Sequence, residues 1–74
     1  MNKTMIGENA GVVWRLLSTC SDGMEKEELQ SRSGLSEREL YAAVGWLARE
    51  DKIVIEQADG SGDRFRLPAY NIYY

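Results

Sequence analysis

Few side chains in this sequence are equipped for chemistry, and what is missing narrows the field. Cys20 is the sole cysteine and histidine is absent. Together these facts remove the usual zinc ligands, the usual general base and the usual pH-sensitive switch. A cysteine without histidine is more often a small buried hydrophobe than a nucleophile. Ser18, Ser21 and Ser36 have ordinary turn or cap explanations. Gly60-Ser61-Gly62 lacks the lysine and the following helix that a phosphate loop needs. Glu25, Glu27 and Glu28 lack the spacing and glycine turn of a calcium loop. The sequence therefore suggests no enzyme, no cofactor, no metal and no small-molecule ligand. It does offer recognition chemistry. Arg38, Ala42, Gly45 and Arg49 recur at helical spacing with Tyr41 flanking them, and Arg64 and Arg66 follow in a second segment. Arginine meets phosphates and guanine edges, and small residues between arginines let another backbone approach closely.

One small domain must position these residues. Seventy-four residues lie near the lower limit for a lone hydrophobic core. At 43% hydrophobic and 28% charged, the chain has a globular composition rather than a disordered one. No apolar run approaches the ~20 residues of a membrane span. Met1 to Ile6 carries one lysine and no apolar stretch, so no secretory leader is expected. A lone cysteine excludes an intrachain disulfide and suits a reducing, cytoplasmic compartment. Nine basic residues against twelve acidic ones give a net charge of −3. Nucleic-acid binders are mostly basic, because counterion release from phosphate drives their affinity. A basic face can nevertheless sit on an acidic body.

The apolar periodicity sets out the elements. Ile6, Ala10, Val13 and Leu17 share one face of a helix over 6–18, and Val12, Leu16 and Cys20 form a stripe beside it. With Trp14 on the other flank, the apolar arc is wider than a rim helix requires. Ser21-Asp22-Gly23 is a turn, and a shorter helix is expected over 24–33, with carboxylates at its positive end. Gly34 ends it. Ser36 with Glu39 three residues on is a capping box, which starts a third helix running to about Glu50. Residues 53–58 and 63–67 alternate as strands around the turn 59–62, and Pro68 stops the second. The expected core is Ile6, Ala10, Val13, Leu17, Leu29, Leu35, Leu40, Val44, Leu47, Ile53, Ile55, Phe65 and Leu67.

Helix, short helix, Gly34-Leu35-Ser36 turn, longer helix and β-hairpin follow the order of a winged helix-turn-helix, and residues 6–67 resemble such a domain. IGENAGVVWRLL at 6–17 and GLSERELYAAVGWLAREDKI at 34–53 resemble a small stand-alone winged-helix family of bacteria and archaea. That resemblance implies an α+β fold of three helices and a two-stranded wing, with room for a short strand near Met24, and no reaction. In such domains the motif's second helix lies in the DNA major groove. The resemblance thus points to duplex DNA as partner for Arg38, Tyr41, Ala42, Gly45 and Arg49, with Arg64 and Arg66 contributing from the wing.

Several readings stand against that one. Arg38 and Arg49 have the ordinary alternative of solvated surface charge, and Arg64 and Arg66 that of pairing with Glu56 across the hairpin. Residues 22–33 hold four acids and two bases, which opposes phosphate contact. A protein-interaction module on the same scaffold is therefore the competing function. The sequence divides into a domain at 1–67 and an apolar tail at 68–74. Tyr70, Ile72, Tyr73 and Tyr74, with Val12 and Leu16, are the expected homodimer surface; folding of the tail over its own domain is the alternative.

Overall fold

The computed structural model describes residues 1–58 and 62–68, with the side chain of Ala58 outside that description. It has the order α1 (Lys3–Ser18), β1 (Met24–Glu25), α2 (Lys26–Ser33), α3 (Glu37–Arg49), β2 (Val54–Ala58) and β3 (Gly62–Arg66). The strands form an antiparallel sheet in the order β1-β3-β2. This is the expected α+β winged-helix architecture with its third short strand realised.

Local chemistry explains the helix ends. The side chain of Asn2 accepts a hydrogen bond from the Met5 amide at 2.8 Å. That cap starts α1 at Lys3, three residues before the apolar periodicity begins at Ile6. The second helix starts at Lys26 rather than Met24, because Met24 and Glu25 pair with Phe65 and Arg64 of β3. Gly34 ends α2 at φ 73°, a left-handed conformation that costs glycine least, and its amide reaches the Gln30 carbonyl at 3.1 Å. The capping box of α3 is complete. Ser36 Oγ accepts from the Glu39 amide at 3.1 Å, and Glu39 Oε1 accepts from the Ser36 amide at 2.9 Å. These backbone and hydroxyl donors stabilise the ionised Glu39 and hold its carboxyl below the usual range.

The core lies between the three helices and the inner face of the sheet. It contains Ala10, Val13, Leu17, Met24, Leu29, Leu40, Ala43, Val44, Leu47, Ile53, Phe65 and Leu67. Met24 joins it as a consequence of the β1–β3 pairing, and Ala43 fills the seam beside Leu40 and Leu47. Ile6 and Leu35 are only half-buried, Leu35 packing on the edge of the cluster. Ile55 corrects the expected core outright, at 45% exposure. It stands opposite Phe65 in the register, but on β2, an edge strand beyond α2, the helix that packs against β1 and β3.

Candidate functional site

The capping box and the Leu40, Val44 and Leu47 seam fix the rotation of α3 about its own axis. With those residues buried inward, Arg38, Gly45 and Arg49 are exposed and Ala42 is half-buried between them. A Cβ added at Gly45 would meet nothing within 4 Å. Glycine in a helix interior costs about 1 kcal/mol relative to alanine, and here no contact among the described residues requires it. Tyr41 and Trp46 flank the strip at 38% and 40% exposure.

Tyr41 is held to the sheet. Its hydroxyl donates to Asp63 Oδ2 at 2.8 Å, and its ring meets Phe65 edge-on, with centroids 6.2 Å apart and planes at 74°. The Asp63 carboxylate, with desolvation and the charges of Glu37 and Glu27 behind it, pushes the Tyr41 phenol up to about 12. Glu37, at the start of α3, pairs with Lys26 at the start of α2. The Lys26 ammonium is raised by that partner. The N-terminal half of α3 is therefore set among carboxylates.

The two wing arginines are occupied within the chain. Both are half-buried on the sheet face opposite Phe65. Arg64 Nε donates to the Asp22 carbonyl at 3.1 Å, which ties β3 to the turn before β1. Arg66 Nε meets Glu56 Oε2 at 3.3 Å, diagonally across two register positions of the β2–β3 ladder. The seven residues singled out for recognition thus fall into two groups. Arg38, Ala42, Gly45 and Arg49 form one continuous outer strip, whereas Tyr41, Arg64 and Arg66 carry contacts that hold the wing in place.

Of the residues expected at a dimer surface, Leu16 packs against the core of its own chain and Val12 is half-buried. Tyr70, Ile72, Tyr73 and Tyr74 lie outside the described residues, as does most of the 68–74 segment. Among the described residues no three Cys, Asp or Glu side chains are grouped to hold a metal ion. Nor is any helix there long and apolar enough to cross a membrane.

Sequence reasoning missed a second surface feature. Between α1 and α3 runs an open groove of roughly 510 Å³, lined by Gly7, Ala10, Gly11, Trp14, Arg15, Trp46, Leu47 and Lys52. The signal was present in α1: Gly7, Gly11 and Trp14 recur at i, i+4 and i+7, so they share one helical face. Their meeting with Trp46 and Lys52 depends on the packing of α1 on α3, which no local pattern states.

The chain has relatives that share this architecture. A family model described as "Winged helix-turn-helix domain (DUF2582)" matches residues 1–62. The chain is 36% identical over 55 residues to the uncharacterized protein MJ1608 of Methanocaldococcus jannaschii, a match covering 73% of this chain and 79% of that protein. It also superposes on the solution NMR structure of protein BT2368 from Bacteroides thetaiotaomicron with a TM-score of 0.81. That pair is 39% identical, with 96% of this chain and 84% of the other covered. A family match over most of the chain and a close structural relative point the same way: the chain belongs to the DUF2582 winged helix-turn-helix family.

Proposed function

We propose that this winged helix-turn-helix domain is a DNA-binding module of transcription-regulator type, acting in the cytoplasm and engaging the major groove with α3. The observation that carries this reading is the outer strip of that helix. Arg38 and Arg49 stand exposed at its two ends, and above Gly45 there is open space where a backbone or a base edge can come close. Arginine supplies both phosphate contacts and bidentate guanine contacts. In this reading Tyr41, Arg64 and Arg66 brace the hairpin. A monomer with a net charge of −3 binds DNA weakly. A homodimer raises affinity by placing two α3 helices about 34–36 Å apart, one turn of the duplex. The 68–74 tail, with Val12 and Leu16, is the surface proposed for that dimer.

One observation favours a second reading, a protein-interaction module. Tyr41 sits next to the Asp63 carboxylate, with Glu37 and Glu27 close enough to raise its pKa further, so that end of α3 repels phosphate.

Anisotropy of a labelled duplex separates the two. DNA binding at low salt must weaken steeply as salt rises, and Arg38→Ala with Arg49→Ala should flatten the log–log salt slope by about 2 if both meet phosphates. Absence of binding at low salt rejects the DNA reading and leaves the interaction module. Sedimentation of the chain with and without residues 69–74 tests the dimer; a monomer in both removes it.

A further inference from the structure

The groove between α1 and α3 has features that its own fold does not require. Gly7 and Gly11 lie one turn apart inside α1, and each gives up helix stability relative to alanine. Packing does not demand either glycine. A Cβ at Gly7 would rest 3.8 Å from the Trp46 ring, and one at Gly11 would rest 3.9 Å from Arg15 Nη1, both ordinary contacts. Both glycines line the groove, Gly7 next to the Trp46 ring and Gly11 next to the Arg15 guanidinium. Trp14 and Trp46, the only tryptophans in the chain, both line it. Arg15 and Lys52 also line it, and no carboxylate does, although acidic residues outnumber basic ones overall. Among the described residues neither cation takes part in an ion pair. At roughly 510 Å³ the space matches pockets that take small organic molecules.

From these features we infer that the α1–α3 groove is a binding site for a small planar aromatic carboxylate, its ring lying between Trp14 and Trp46 and its carboxylate meeting Arg15 and Lys52. Indole faces supply flat apolar area, and glycine at 11 keeps the α1 side of the groove low. The two cations select an anion over its neutral analogue. The site is separate from the outer strip of α3, and the inference stands whether or not that strip meets DNA. Because α3 supplies Trp46 to the groove and Arg49 to the strip, an occupant would also contact the helix proposed to read DNA.

Naphthoate is a suitable probe, with the neutral naphthamide as its control. Calorimetry on the intact chain should give a Kd below about 1 mM for naphthoate, within the range open to a ligand of that size. Naphthamide should bind more weakly, and tryptophan fluorescence should change on binding because both indoles face the site. Arg15→Gln and Lys52→Gln should each weaken naphthoate by about fivefold and leave naphthamide unchanged. Gly11→Ala is the decisive variant. It should raise the melting temperature, as alanine does in a helix interior, and weaken naphthoate by about tenfold by raising the α1 side of the groove. A stabilised Gly11→Ala chain that binds naphthoate as well as the parent overturns the inference. So do equal affinities for naphthoate and naphthamide, absence of binding at millimolar probe, or amide NMR shifts lying away from α1 and α3. Self-association that Trp46→Ala abolishes and naphthoate does not compete with would assign the groove to a second copy of the chain, and also overturns it.

Discussion

Helix α3 and the hairpin each present two arginines, and the chain treats the two pairs differently. Arg64 and Arg66 are half-buried and bonded, one to the Asp22 carbonyl and the other to the Glu56 carboxylate. Arg38 and Arg49 are exposed, and the strip between them is left low by Ala42 and Gly45. Alternating arginines therefore say little by themselves; what decides their role is whether the surrounding backbone offers them a partner. On the strand, the ladder brings Glu56 within reach of Arg66, and the β1 turn brings a carbonyl to Arg64. On the outer side of α3, no ion pair of the same kind holds Arg38 or Arg49 among the described residues.

The strongest test of this contrast is to remove what anchors the hairpin. Phe65 is completely buried on the inner face of β3 and meets Tyr41 edge-on. Phe65→Ala should cost about 3–5 kcal/mol, a large share of the stability of a domain this size. Thermal or urea melts would read it. A loss under 1 kcal/mol would mean that the hairpin is not integrated into the core, and the distinction between braced and exposed arginines would lose its basis.

A backbone substitution comes next. Gly23 has φ 82°, and a Cβ there would overlap the Phe65 carbonyl oxygen and the Cβ of Arg66. Gly23→Ala forces either the turn or β3 to move, and should cost about 1–3 kcal/mol from backbone strain before any clash is added. Gly34→Ala is the useful companion. Its φ is likewise positive, but it has open space around it, so it should cost less. Equal losses would show that conformation alone, and not the approach of β3, accounts for Gly23.

The arginines themselves come third. Arg64→Ala and Arg66→Ala should each lower stability by about 0.5–1.5 kcal/mol, the usual worth of a partly shielded hydrogen bond. Arg38→Ala and Arg49→Ala should stay within about 0.5 kcal/mol of the parent. Duplex affinity should show the reverse order, with the α3 pair mattering more. If the wing pair proved dispensable for stability yet necessary for DNA, the division between bracing and recognition would be reversed.

How much of this arrangement was legible in the sequence depended on the range of the interaction. The Ser36–Glu39 box and the Gly34 turn are local, involve residues at most four apart, and were readable as written. Asn2 is also a local cap, but it lies outside the apolar period that marked the start of α1 at Ile6. Met24 read as the first residue of a helix, because its strand exists only through pairing with Phe65 far along the chain. Ile55 read as core, because alternation identifies a face of a strand and not whether a helix covers it there. Tyr41 was readable as a flank of the outer strip; its bond to Asp63 depends on how the hairpin folds back over α3. The groove was missed for the same reason: its two walls come from different helices.

The smallest expected effect bears on the one residue that belongs to both regions. Tyr41 starts on α3 and ends on Asp63 of β3, and that carboxylate lifts the phenol from its ordinary 10.0 to about 12. A raised value means that the fold favours the protonated phenol. The stability this supplies is complete below pH 10 and is lost as pH rises toward 12. Melting curves of the parent and of Tyr41→Phe should therefore differ by a constant amount through neutral pH, and the parent should lose its advantage only in the alkaline range. Other tyrosines ionise in both chains and cancel in the difference. Asp63→Asn should return the phenol toward its ordinary value in an ultraviolet titration. A difference that stays flat across the alkaline range would mean that the Tyr41–Asp63 bond contributes nothing in solution. Tyr41 would then join Arg38 and Arg49 as an exposed group on the outer face of α3, and the boundary between the bracing residues and the exposed strip would shift by one side chain toward the recognition surface.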